Sequence, residues 1–381
     1  MTVLDARALN RATLARQLLL ERAGLPVLDA VTHLGGLQAQ EPQAPFTGLW
    51  SRLRAFGPAS LDELLTGREV VRTHLMRRTV HLVAAGDALA WRARHDAMLR
   101  QRVLGTYRGE LAGVDLGELA AAGRAVLADG EPRTMGELAR AVADRWPEPG
   151  PQALGEMLIA ALIPAVQVPP RGLWRTKAGA RYLPMSDWLG REVDPLPSGG
   201  STGAPAPAGK ADPAGKADPA GKALARRYLA AYGPAATADL RGWSGVAGLP
   251  GAVAAIRDEL VSFRDERGRE LLDLPGSPRP DPETPAPVRF LPAFDNAVLG
   301  YADRGRIIDD AHRGLSVAGE RFVLVDGRVS ATWTDDAGTV TVHPLRRLSR
   351  ADRTAVTEEG QRLSAFLSDG AEEKVVVTDD C

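Results

Sequence analysis

Hydrophobic and polar positions repeat along this chain in three blocks of the same grammar. Each block opens with a turn followed by a helix-start signal. The first is Gly57-Pro58-Ala59-Ser60-Leu61-Asp62-Glu63-Leu64, and the second is Glu131-Pro132-Arg133-Thr134-Met135-Gly136-Glu137-Leu138. The third is Gly233-Pro234-Ala235-Ala236-Thr237-Ala238-Asp239-Leu240. Ser60 with Glu63 and Thr134 with Glu137 satisfy the S/T-x-x-E capping box, in which two orphan backbone donors are satisfied reciprocally. Thr237 with Asp239 is a looser version. A short amphipathic helix follows each start. In the second and third blocks the spacing predicts a second helix, near residues 153–166 and 251–260. Each block then turns extended, over 70–83, 166–183 and 260–274, the last alternating strictly about the hairpin signal Arg267-Gly268. Helix, helix and two-stranded hairpin make a winged helix, a variant of helix-turn-helix. Three in register predict an α+β, mainly α fold built from three tandem winged-helix units.

The remainder follows a different pattern. "RFVLVDGRVSATWTDDAGTVTVHPLRRL" alternates apolar and polar residues, with turns at Asp326-Gly327 and Ala337-Gly338. It predicts two or three antiparallel strands. A closing helix capped by Ser349 follows, and the acidic tail beyond it reads as frayed. The segment "PSGGSTGAPAPAGKADPAGKADPAGK" cannot bury enough apolar surface to offset its ordering entropy, so it reads as a flexible linker. The expected organisation is unit 1 over 1–110, unit 2 over 111–196, the linker over 197–222 and unit 3 over 223–285. A β-rich region over 286–368 and a tail over 369–381 complete it.

Composition narrows the field. The chain has 381 residues, 44% of them hydrophobic, enough for several domains with real cores. One cysteine, Cys381, excludes a disulfide scaffold and any Cys-based zinc or iron–sulfur site. The uncharged stretch after Glu156 is broken by prolines and falls short of the ~20 residues of a membrane span. The N-terminus carries charges where a signal peptide needs an apolar run. A soluble cytoplasmic protein is expected, nucleoid-associated when on DNA, with no membrane partner. The 47 Lys+Arg nearly balance the 48 Asp+Glu, but not locally. Between Ser51 and Glu110 every basic residue is an arginine: Arg52, Arg54, Arg68, Arg72, Arg77, Arg78, Arg92, Arg94, Arg100, Arg102 and Arg108. Only Asp62, Glu63, Glu69, Asp87, Asp96 and Glu110 oppose them. Such an excess can track a phosphate backbone; the bland alternative is a set of solvated arginine-rich helices.

The six histidines lack metal-ligand spacing, and there is no G-x-S-x-G, Walker A or G-x-G-x-x-G motif. No metal or cofactor is expected. The strip "HLGGLQAQEPQAPFTGLWSRL" stands out, because Gln38 and Gln40 lie in a segment whose only charges before Arg52 are Asp29 and Glu41. If extended, the two glutamines share a face; if helical, they diverge by about 200°. Two amides on one face form a donor/acceptor fork able to hold water and a polar substrate edge. The ordinary alternative is that they cap loop backbone groups. In "RTHLMRRTVHLV", a strand would place Arg77, Thr79 and His81 on one face, a row suited to phosphate contacts, or merely the polar face of a wing. In "FLPAFDNAVLGYADRGRII", Asp295 and Arg304 read as a structural pair.

These segments, with "LNRATLARQLLLERAG" and "VLVDGRVSATW", occur in an order that resembles the AlkZ-like winged-helix DNA glycosylases. That resemblance spans nearly the whole chain outside the linker and tail. It implies a bacterial monofunctional glycosylase that excises alkylated purines from double-stranded DNA, acting in base excision repair and in self-resistance to DNA-alkylating natural products. It further implies three winged helices in a C-shape around the duplex, and a monomer. The family's catalytic motif is Gln, an apolar residue, then Gln or Asp, so Gln38-Ala39-Gln40 is the Gln-ending form of the narrower resistance branch. On this reading Gln38 and Gln40 are catalytic. Arg72, Arg77, Arg78, Thr79, His81 and Arg304 contact DNA, Asp295 supports them, and Glu41 is worth testing although no role is implied for it. The rival is a non-enzymatic winged-helix DNA-binding protein such as a transcriptional regulator.

Overall fold

The computed structural model describes residues 2–196 and 218–379. Its strands, in chain order, are β1 (Val3–Leu4), β2 (Leu37–Gln38), β3 (Val70–His74), β4 (Val80–Ala84), β5 (Ala165–Gln167) and β6 (Tyr182–Pro184). They continue with β7 (Val261–Asp265), β8 (Glu270–Asp273), β9 (Arg289–Leu291), β10 (Arg321–Val325), β11 (Arg328–Asp336), β12 (Thr339–Pro344) and β13 (Val375–Val377). Three sheets result, ordered β2-β4-β3-β5-β6, β1-β7-β8 and β13-β12-β11-β10-β9.

Each predicted extended block forms a hairpin, but the first two are not separate. β3 pairs with β4 on one side and with β5 on the other, through Arg72 opposite Gln167 and Thr73 opposite Val166. β3 is therefore a central strand buried on both faces, which is why "VVRTH" shows no clean apolar/polar alternation. The helix Ala85–Tyr107 leaves β4 and carries Leu89 and Trp91 into one core and Met98, Leu99 and Val103 into the next. It thereby joins the first block to the second and third.

The helix starts differ in detail from the sequence reading. Thr134 and Glu137 form the reciprocal capping box, with Glu137 N–H donating to Thr134 Oγ1 (3.2 Å) and Thr134 N–H to Glu137 Oε2 (2.7 Å). Ser60 caps nothing: the helix Pro58–Thr66 begins at Gly57, and Ser60 Oγ donates back to Gly57 O. Pro58 supplies the preset φ and needs no N–H partner, so the helix starts before Ser60. In the third block the cap shifts to Ala236, whose N–H donates to Asp239 Oδ2, and Thr237 is the first helical residue. The second helices are Pro151–Glu156, continued by a π-helical stretch Met157–Leu162, and Leu249–Ala254. Val166 lies in β5 instead, beyond Pro164.

The expected linker lies outside the described residues up to 217, including Lys210 and Lys216. Pro219–Lys222 instead open a helix, Pro219–Tyr232. Asp218 caps it by accepting from Gly221 N–H (2.8 Å), and Leu224, Ala225, Tyr228 and Leu229 bury its apolar face. The C-terminal sheet has its turns at Asp326-Gly327 and Ala337-Gly338, all four residues at positive φ as tight hairpin turns require. Ser349 Oγ accepts from Asp352 N–H to cap the helix Arg350–Leu367. The tail is not frayed throughout: three consecutive valines form β13, which adds in parallel to β12.

Thr134→Ala is expected to cost about 1 kcal/mol, read as a lower urea midpoint. Ser60→Ala is expected to stay within about 0.5 kcal/mol of the parent. Equal losses would contradict the cap assignment.

Candidate active site

The glutamine strip is extended, and its backbone is held at three points. β2 pairs with β4 so that Gln38 lies opposite His81, and Ala39 N–H continues the ladder to Val80 O (2.8 Å). Asn296 Nδ2 donates to Gly36 O (2.7 Å), and Arg72 Nη2 to Ala39 O (2.9 Å). Gly36 has φ +89°, and a Cβ there would lie 2.4 Å from Val83 Cγ1, so only glycine permits this approach. Gln38 ends β2 and Gln40 lies in the bend just beyond it, with Ala39 fully buried between them. Gln38 is 7% exposed and Gln40 is open to solvent. Gln38 Oε1 accepts from Arg77 Nη2 (2.7 Å), and Gln40 Oε1 accepts from Val80 N–H (3.1 Å).

Arg77, Thr79 and His81 do not form a strand row. Residues 76–78 are a single tight helical turn, with Arg77 at φ +58° and Arg78 at φ +67°, because the chain must reverse between β3 and β4. The turn nevertheless sends Arg77 to Gln38 and, through Nη1, to Trp243 O (2.6 Å) in the third block. His81 is fully buried; its Nδ1–H donates to Thr79 O (3.0 Å), leaving Nε2 an unpartnered acceptor. Burial, reinforced by the Arg77 guanidinium, pushes its pKa down to about 3. Burial likewise lowers His74 and His95 to about 4. The imidazole of His81 is therefore neutral and inside, not a cation on a phosphate.

Arg72 is also inside, 1% exposed, bonded to Ala39 O and to Gln167 Oε1. Burial and then Arg171 lower its pKa to about 10, so it stays cationic. Its observed contacts hold the glutamine strip rather than face outward. Asp295 does not pair with Arg304. It takes a bidentate bond from Arg52 (2.7 and 2.8 Å), with Arg52 0% and Asp295 5% exposed. Asp295 also caps the helix Asn296–Leu299 by accepting from Ala297 N–H. Arg304 instead donates to Ser316 Oγ (2.6 Å). Arg78 pairs with Glu156 (3.2 Å), and Glu41 pairs with Arg321 of β10.

Arg77 lines a cleft of about 1200 Å³ between the helix Ala85–Tyr107 and the third block. Arg102, Arg241 and Arg257 line it too, opposed by Glu270, which pairs with Arg257. Arg241 and Arg257 were missed in the sequence, where they stand singly in ordinary helical surroundings. The arginine excess of the first block divides: Arg52, Arg72 and Arg92 are buried, while Arg54, Arg68, Arg100, Arg102 and Arg108 are exposed. Among the described residues no group of three or more His, Cys, Asp or Glu is placed to hold a metal ion, and no helix is long and apolar enough to cross a membrane.

A family model described as DNA glycosylase AlkZ-like matches residues 31–366. Among solved structures, the Streptomyces sahachiroi DNA glycosylase AlkZ superposes with a TM-score of 0.76 at 21% identity, covering 99% of this chain and 100% of that one. At that identity the likeness is one of fold. No curated protein matches the chain.

Two outcomes are expected. His74, His81 and His95 take up protons near pH 6.5 when unfolded but only near pH 3–4 when folded. The unfolded state therefore binds more protons below pH 6.5. Stability should fall as pH drops from 6.5 toward 4, by up to about 1.4 kcal/mol per pH unit for each histidine. Urea midpoints across this range check it, and a flat profile would contradict it. Separately, Asp295→Ala should cost about 3–5 kcal/mol by stranding buried Arg52, whereas Arg304→Ala should cost far less. Matched losses in a double-mutant cycle between Asp295 and Arg304 would restore the pairing read from sequence.

Proposed function

The chain belongs to the AlkZ-like DNA glycosylase family, and we propose that it hydrolyses the N-glycosidic bond of alkylated purines in duplex DNA. The substrate class is N7-alkylguanine, with bulky natural-product adducts as the native lesions and self-resistance as the role. The observation that carries this reading is the seating of Gln38 and Gln40 along β4, with Arg77 linking Gln38 to an arginine-lined cleft, in a chain whose family match runs through all three. On the same reading the helix–hairpin blocks are tandem winged helices and the enzyme acts as a cytoplasmic monomer.

The chemistry suits uncharged side chains. Alkylation at N7 leaves a cationic base that is already a good leaving group, so no strong general acid is required. What remains is to orient water and stabilise an oxocarbenium-like sugar, which neutral amides and fixed cations beside the phosphates can do. On this reading water is the nucleophile and the enzyme is monofunctional. A bulky intercalated adduct fits poorly in a flipped-base pocket, so the lesion is attacked while left in the helix. Arg78 and Arg304 serve as phosphate contacts, joined by Arg102 and Arg241 of the cleft, and Arg77 acts through Gln38. Thr79 steadies the turn. His81, Arg72 and Asp295 act from inside.

Base release from duplexes bearing small and bulky N7-alkylguanines tests this. Gln38→Ala and Gln40→Ala should each lose about 10²–10³-fold in rate, a far larger factor than any loss in duplex binding. Absence of release from every adduct, together with tight sequence-specific binding to unmodified DNA, would overturn the glycosylase and leave the regulator.

A further inference from the structure

An amide side chain has a donor end and an acceptor end, and its partners decide which way each faces. Both glutamines of the strip are held by groups that only donate. Gln38 Oε1 accepts from the Arg77 guanidinium, and Gln40 Oε1 accepts from the backbone N–H of Val80. Turning either amide over would set N–H against N–H. The oxygen ends are therefore committed inward, and among the described residues neither Nε2 has a protein partner.

From this we infer that the pair offers its substrate two N–H donor edges, that these grip a non-bridging phosphate oxygen flanking the lesion, and that Arg77 is the positioning residue that sets the polarity of Gln38. The inference rests on the glycosylase reading for its substrate and deepens it. A pair that activated water by accepting its proton would turn carbonyl oxygens outward, the opposite arrangement. A phosphate is the acceptor that fits: both outward edges are donors, Arg77 feels the positive charge of Arg304, and no carboxylate pairs with Arg77 among the described residues. Arg77 can hold the amide steadily because its other Nη is fixed to Trp243 O and its backbone is locked in the turn.

The discriminating variant is Gln38→Glu, which keeps the shape and an oxygen toward Arg77 but replaces the outward NH2 by an oxygen. Two measurements are made on the full chain. The first is the single-turnover rate of base release from a duplex with N7-methylguanine. The second is affinity for a duplex carrying an abasic analogue, with each flanking phosphate normal or replaced in turn by an uncharged methylphosphonate. Gln38→Glu should lower the rate at least 100-fold and weaken binding at least tenfold. One methylphosphonate should abolish that binding difference. Arg77→Met should cost about tenfold in rate in the parent and nothing further in a Gln38→Ala background, with Arg77→Lys recovering part of the loss. Release at or above the wild-type rate by Gln38→Glu, with unchanged binding, would overturn the donor assignment while leaving the glycosylase intact. An Arg77→Met loss of equal factor in both backgrounds would make Arg77 merely structural and overturn its positioning role. A wild type that releases no base, yet binds in the Gln38-dependent and phosphate-dependent way described, would sink the glycosylase reading alone.

Discussion

A guanidinium removed from water must find acceptors, and the bidentate bond from Asp295 supplies them to both Nη groups of the fully buried Arg52. Arg52 follows the helix Ala44–Trp50, and Asp295 sits 243 residues away at the mouth of the helix Asn296–Leu299. Both are buried, so each would leave an uncompensated charge without the other. Their bond sets Asn296, and Asn296 fixes Gly36 O just ahead of Gln38. Arg72 then grips Ala39 O, and Arg77 grips Gln38 itself. The glutamine strip is thus placed by three inward arginines and one asparagine, from elements far apart in sequence.

Much of the architecture was legible because local rules operate over a few residues. Thr134 and Glu137 lie three apart and find each other, and Asp326-Gly327 and Ala337-Gly338 accept the positive φ of tight turns. Of the two conformations open to the glutamine strip, Leu37 and Gln38 take the extended one. What failed involved distance or competition. Asp295 and Arg304 are neighbours in sequence, but Arg52 offers a buried, bidentate partner that a half-exposed arginine does not. Ser60 reads as a cap until Pro58 starts the helix earlier. Arg72 and Arg102 are indistinguishable by type, yet one lies in a strand buried on both faces and the other on the open face of a helix. The union of β3 with β5 spans more than ninety residues, and no local pattern announces it.

Arg72, Arg77 and His81, which surround the strip, share one property: their charge states do not change near neutral pH. His81 is held neutral by burial, while Arg72 and Arg77 remain cations despite it. Between them lie amides that cannot ionise. Such a site presents a fixed pattern of donors and positive charge, preorganised by packing rather than by proton uptake.

The sheet that runs unbroken from β2 to β6 also limits how this protein can change over generations. β3 is the common axis of two ladders, one setting Thr73 opposite His81 of β4, whose other edge faces Gln38, and the other setting Arg72 opposite Gln167. A single inserted residue in β3 would slip both registers together and turn Arg72 to the opposite face. The two flanking blocks therefore cannot diverge independently at this strand. Innovation is channelled instead to the outer edges, the hairpin turns and the surface arginines, where a change is felt by one neighbour at a time.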